Sequence, residues 1–126
     1  RMRKGVVVCG ANGERGLVLE RVTEAFSKDN MSKVIQFSVC TVGLSPIMLE
    51  MGGVDMGSIV TVNGCRNKCC DRLMEKNGLK IGASVTLDDH VERKLGPCEF
   101  TSKFHFPEPT EDEVRAMVKA MEKAIS

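Results

Sequence analysis

Six cysteines lie along the 126-residue chain, and three of them come at or just after the end of a short apolar run. Cys9 ends the run 5–9, Cys40 ends the run 34–40, and Cys65 follows the run 59–62. A fourth thiol, Cys69, follows Cys65 at C-x3-C spacing. If the runs are neighbouring parallel strands, their carboxyl ends open on one edge of the sheet, where ligands bind in such folds. We therefore expect these four thiols to converge.

Four converging thiolates are a typical zinc ligand set, with each sulfur ~2.3 Å from the ion. The spacing predicts Cys65 in a loop and Cys69 one turn into the following helix, on the same side. The positive end of that helix favours thiolate over thiol. For Cys9 and Cys40 the competing interpretation is that both are small buried hydrophobic side chains.

Two further cysteines could exchange with these ligands. Cys70 adjoins Cys69, and adjacent helical residues point about 100° apart, so only one of the two should face the site. Cys98, in a Gly-Pro-Cys sequence, could replace a ligand, take part in redox exchange, or be a lone loop cysteine.

The elements that must position these residues alternate between strand and helix. Apolar runs predict strands over 5–9, 33–39, 58–62 and 80–87, and amphipathic spacing predicts helices over 14–28, 66–76 and 110–125. Thr110 and Glu113 form a capping-box pattern for the last helix, and Ser45 could cap a short helix that ends at Gly52.

This alternation predicts the α/β class: a single three-layer domain over 1–126, with helices on both faces of a mostly parallel, Rossmann-like sheet of about four strands. Its core would occupy about 5–100, followed by a C-terminal helix at about 110–125.

These features together resemble the DGC-domain family, small domains credited with zinc binding through four cysteines and named for a central Asp-Gly-Cys motif. Asn63-Gly64-Cys65 stands at the position of that motif, and Cys69 at the C-x3-C partner; Cys9 and Cys40 match the first two cysteines. The likeness covers roughly 5–100 and departs from the family at Asn63, which replaces Asp, and at Cys70. It implies metal binding, with zinc at Cys9, Cys40, Cys65 and Cys69, rather than a defined reaction.

A second interpretation uses the C-x5-R sequence from Cys9 to Arg15, which follows a strand and opens a helix. Low-molecular-weight tyrosine phosphatases and related arsenate reductases begin in this way. Cys9 would be the nucleophile, and Arg15 would bind the oxyanion. The chain has no Asp-Pro to supply the leaving-group acid, and Arg15 is also simply explained as a solvated helix residue.

A third interpretation is an iron–sulfur or redox protein that uses the same four thiols. A formal net charge of +1, with no Trp or Tyr, gives no sign of nucleic-acid binding. No apolar stretch is long enough for a membrane span, and we expect a cytoplasmic protein with reduced thiols. His90 and His105 are expected at the surface.

Overall fold

The structure, a computed structural model, describes residues 3–39, 47–97 and 105–126. Four strands and four helices are formed there, together with a 3₁₀ turn at Leu87–Asp89. The strands are β1 (Lys4–Val8), β2 (Val34–Ser38), β3 (Ile59–Asn63) and β4 (Ile81–Thr86), and the helices are α1 (Gly13–Asn30), α2 (Ile47–Met51), α3 (Cys69–Lys76) and α4 (Glu111–Ile125).

The four strands form one parallel sheet in the order β2-β1-β3-β4. At the carboxyl end of β1, Val8 pairs with Ser38 of β2 on one side and with Val62 of β3 on the other. The strand order reverses between β1 and β3, which is where sheets of this kind usually bind ligands.

A separate hydrophobic cluster covers each face of the sheet. On one face, Val6, Val60 and Val62 pack with buried residues of α1 and α4, such as Phe26 and Met117. On the other face, alternate strand residues pack with α2 and α3: the cluster there is Val7, Leu49, Val54, Ile59, Cys70 and Met74. The period-two alternation of strand side chains therefore yields the predicted three-layer α/β arrangement.

Most predicted elements are confirmed, with ends that differ by one or two residues. The capping box of α4 is formed, since Glu113 N donates to Thr110 Oγ1 and Thr110 N donates to Glu113 Oε1. The predicted start of α3 at residue 66 is wrong, because 65–68 form a turn and the helix begins at Cys69. The predicted cap at Ser45 lies outside the described residues.

Within the described ranges, no helix has both the length and the apolar character needed to cross a membrane.

Candidate functional site at the carboxyl edge of the sheet

Cys9 lies at the carboxyl edge of the sheet, directly after β1. Its backbone N–H donates to Val62 O at 2.9 Å, which continues the β1–β3 ladder by one residue. The Cys9 side chain is half-buried and contacts the hydrophobic clusters on both faces. The expected partner Cys40 follows the end of β2 by two residues in sequence but lies outside the described residues.

Cys65 and Cys69 lie in and just after the tight turn that follows β3. Lys68 N donates to Cys65 O at 3.1 Å, and Lys68 adopts left-handed backbone angles with φ of 52° and ψ of 48°. Cys65 is half-buried and Cys69 is exposed. The spacing predicted Cys69 one helical turn into α3, but Cys69 is the first residue of that helix. The residues between the two cysteines form the loop instead of the first helical turn.

Cys70 faces the interior and leaves Cys69 as the exposed member of the pair. The Cys70 side chain is fully buried in the cluster beneath β1, and its Sγ donates to Val7 O at 3.4 Å. Burial, with smaller contributions from the nearby Cys9 and Asp71, raises the pKa of the Cys70 thiol to about 12, against the opposing effect of the Val62 backbone. Cys70 is therefore a protonated thiol of the core at neutral pH.

Of the four expected ligands, the three that are described do not form a metal centre. Among residues 3–39, 47–97 and 105–126, no three Cys, His, Asp or Glu side chains are grouped so that they could hold one ion. Half-buried Cys9 packs against the core, whereas Cys69 faces solvent. The described thiols would have to move together, and be joined by Cys40, to bind an ion. Cys98 also lies outside the described residues.

The two loops at the strand-order reversal are in direct contact. A Cβ added to Gly64 would lie 2.6 Å from the Ala11 Cβ and 3.2 Å from Leu19 Cδ1. The central glycine of Asn63-Gly64-Cys65 is thus required by the close approach of the β1–α1 loop. A Cβ at Gly16 would meet Ala11 O at 2.4 Å, so that loop is also folded tightly onto the start of α1.

Arg15 joins three segments at this edge. Its Nη1 donates to Gly64 O at 2.8 Å, its Nε donates to Gly96 O at 2.7 Å, and both Nη1 and Nη2 donate to the Asp88 carboxylate. Arg15 is only 8% exposed, so its interpretation as a solvated helix residue is wrong.

The partners of Arg15 bear on the phosphatase interpretation. An oxyanion-binding arginine presents its bidentate N–H groups to the ligand. Here the guanidinium contacts the Asp88 carboxylate and two carbonyl oxygens instead, and it holds the loop before Cys65 against the segment after β4. The described geometry therefore does not support an oxyanion site formed by Cys9 and Arg15.

The segment after β4 has a second attachment to α1. Glu14 Oε1 accepts from Gly96 N at 3.4 Å, and its Oε2 accepts from Arg93 Nη1 at 2.6 Å. Arg93 Nε also donates to Glu113 at the start of α4. Glu14 and Arg15 are consecutive residues of α1. Glu14 therefore binds the backbone N–H of Gly96, and Arg15 binds its carbonyl oxygen.

A polar network that sequence reasoning missed lies under the first turn of α3. The Asp71 carboxylate accepts hydrogen bonds from Thr61, from Asn63 Nδ2 at 2.9 Å and from Ser84 Oγ at 2.7 Å. Partial burial alone would raise the pKa of the Asp71 carboxyl, but these hydrogen bonds outweigh it and hold the pKa below its usual value. The one sequence signal was polar residues, Thr61 and Asn63, inside an otherwise apolar strand.

Asn63 is central to this network. Its side chain is fully buried, it donates to Asp71 and Ser84, and its Oδ1 accepts the Asp71 backbone N–H at 3.4 Å. A carboxylate at position 63 would face the Asp71 carboxylate at hydrogen-bond distance. In this chain the carboxylate of the pair belongs to Asp71 on α3, and the amide belongs to Asn63 on β3.

Neither histidine belongs to a group of three potential metal ligands among the residues that the structure describes. His105 is exposed, as expected. His90 is partly exposed, follows the 3₁₀ turn and lines a cavity of about 440 Å³ with Arg93 and Glu113 at the start of α4.

Comparison of the chain with protein-family models, with curated proteins and with solved structures gave no significant match.

Proposed function

We propose that this protein binds a thiophilic metal ion, zinc in preference to others, through Cys9, Cys40, Cys65 and Cys69. The observation that carries the proposal is the strand order: β2, β1 and β3 are parallel neighbours, so their carboxyl ends lie side by side. Cys9 directly follows the middle strand, and Cys65 follows β3 by two residues. The resemblance to the DGC-domain family supports the same four thiols.

The chemistry of the donor set supports zinc. Four thiolates suit a closed tetrahedral zinc shell, and a bound zinc ion would supply structural cross-linking of the loops or a reactive thiolate centre. Exposed Arg66 and Lys68 lie in the turn between Cys65 and Cys69, where positive charge would offset that of a thiolate site. Arg66 is also paired with Asp89 at 3.0 Å.

The separation of the described thiols sets a requirement on this proposal. Because Cys9, Cys65 and Cys69 do not by themselves form a three-ligand group, binding requires the Cys65–Cys69 turn to approach Cys9 and requires Cys40. Ligands must also lose their protons, so binding would release protons and weaken at acid pH. We propose a cytoplasmic location, where thiols stay reduced.

The test is elemental analysis and absorption spectroscopy of protein purified without added metal, followed by cobalt titration of metal-free protein. We expect stoichiometric zinc, no visible bands as isolated, and thiolate-to-cobalt charge-transfer absorption after substitution. The double variant Cys65→Ser/Cys69→Ser should lose both signals. Cys70→Ser is the matched control, because the buried Cys70 thiol should not be a ligand and its variant should keep them.

Other results would contradict specific parts of the proposal. Brown protein that contains iron and sulfide would show that the same thiols hold an iron–sulfur cluster instead of zinc. Metal content that is unchanged in Cys65→Ser/Cys69→Ser, or lost in a folded Cys70→Ser, would show that the ligand set is wrong.

A further inference from the structure

Three secondary-structure elements contribute to the network under α3. Thr61 and Asn63 come from β3, Ser84 comes from β4, and all three donate to the carboxylate of Asp71 on α3. Thr61 and Asn63 are fully buried, so without Asp71 their donors would lose a partner away from solvent. Burying an unsatisfied polar group is costly, and these hydrogen bonds therefore fix Asp71 firmly on the sheet.

Besides the buried Cys70, the first turn of α3 depends on the sheet for its N-terminal cap. Lys68 at the N-cap makes no side-chain capping bond, and its left-handed backbone is unfavourable for a residue with a Cβ. The cap is supplied from the neighbouring strand, because Asn63 Oδ1 accepts the Asp71 N–H. The rotation of this turn about the helix axis is thus set by the sheet-bound side chains.

That rotation decides which neighbouring thiol is accessible. Successive helical residues point about 100° apart. With Asp71 held on β3 and β4, Cys70 points into the core beneath Val7 and Cys69 faces solvent.

We infer that Asp71 is a positioning residue that selects Cys69 over Cys70 as the thiol presented at the carboxyl edge. The consequence of this inference, that the metal site uses Cys69, rests on the proposed function. The accessibility of the two thiols can be measured without metal. The carboxylate acts through the turn and is not itself a metal ligand.

The experiment measures alkylation of metal-free protein by iodoacetamide, with the rate at each cysteine read by peptide mass spectrometry. In the Asp71→Ala variant the turn loses its attachment, and we expect the Cys70-to-Cys69 rate ratio to rise about tenfold or more through local opening. Asp71→Asn keeps an acceptor oxygen for Thr61 and Asn63 and an amide for the Ser84 hydroxyl. It should stay within about twofold of the unmodified protein.

Two further variants keep the result interpretable. Thr110→Ala removes the cap of α4, which is remote in sequence from the Asp71 network. This variant should lower the stability of the protein without changing that network, so the Cys70-to-Cys69 rate ratio should not change. Ser84→Ala removes two hydrogen bonds through an exposed side chain, the one donated to Asp71 and the one accepted from Asn63, and it should raise the ratio by about threefold even if Asp71→Ala fails to fold.

Metal titration then links the accessibility to the site. We expect Asp71→Ala to weaken cobalt affinity about tenfold or more, in the range usual for residues that orient metal ligands, and Asp71→Asn to restore it. An unchanged alkylation ratio in both Asp71→Ala and Ser84→Ala, or an equal change in Thr110→Ala, would overturn the inference. If the unmodified protein binds no metal, the proposed function fails, while the alkylation ratios still decide the role of Asp71.

Discussion

Replacing Arg15 with Met should destabilise the protein far more than the same replacement at Arg21. Both arginines lie on α1, and both pair with a carboxylate. Arg15 is nearly buried and also donates to the carbonyl oxygens of Gly64 and Gly96. The Arg21 side chain is 37% exposed and contacts Glu108 at the surface.

The expected magnitude follows from what the substitution leaves behind. Arg15→Met leaves two backbone acceptors without their donor and the Asp88 carboxylate without its cation. Breaking a buried ion pair costs about 3–5 kcal/mol. The Asp88 side chain is 22% exposed, so water can partly solvate it. We therefore expect a loss of about 3 kcal/mol for Arg15→Met. Solvent screens the exposed pair of Arg21, so Arg21→Met should lower the free energy of unfolding far less.

Arg15→Lys separates charge from geometry. A lysine ammonium keeps the positive charge but lacks the planar fork that reaches three acceptors at once. We expect Arg15→Lys to lose about 2 kcal/mol, most of the Arg15→Met effect.

The assay is equilibrium urea unfolding of metal-free protein, followed by far-ultraviolet circular dichroism because the chain has no Trp or Tyr. Equal losses in Arg15→Met and Arg21→Met, or a loss below about 0.5 kcal/mol at Arg15, would return this arginine to the solvated role that is typical of surface positions. It would also reopen the possibility that Arg15 binds an anion.

Three further predictions concern the cysteine-bearing turn and its support. Because the pKa of Cys70 is raised from 9.0 to about 12, its contribution to stability is complete below pH 9 and declines as pH rises toward 12. Cys70→Ala should flatten the alkaline decline in urea-unfolding stability by about 1 kcal/mol per pH unit, and an unchanged slope would contradict the buried thiol. Asn63→Asp should cost about 3 kcal/mol at neutral pH by opposing two carboxylates, should recover as pH falls because one of them then takes a proton, and should be largely rescued by adding Asp71→Asn. Failure of that rescue in the double-mutant cycle would show that the two side chains are not coupled. Lys68→Asn should raise the free energy of unfolding by about 0.5 kcal/mol, since Asn tolerates the left-handed backbone better, and a loss would argue against that conformation.

Much of the architecture could be predicted from local patterns. Runs such as 59–62 and the amphipathic spacing of α4 arise from the periods of strand and helix, which short stretches of sequence express directly. The order β2-β1-β3-β4 then places the residues after three of these strands at one edge. The expectation that Cys9 lies at the carboxyl edge needed only this periodicity and the parallel alternation.

The contacts across that edge depend on residues far apart in sequence. The partners of Arg15 lie 49 to 81 residues away, so no local pattern could show that this side chain is a buried cross-link. Residues 66–68 of this turn are predicted as helix because the left-handed residue is Lys68, whereas glycine or asparagine usually marks such a position.

The sequence by itself determined the α/β class and the cysteine positions after the strands, because hydrophobic periodicity is local. Only the tertiary structure decided that Cys70 is buried and Cys69 exposed. Helical spacing alone does not distinguish the two cysteines, whereas the hydrogen bonds of Asp71 to β3 and β4 do. The tertiary structure also shows that Asn63 is the amide partner of the Asp71 carboxylate on another element. A thiol's burial and a polar residue's partner are properties of the packed interior, which brings together side chains that the sequence keeps apart.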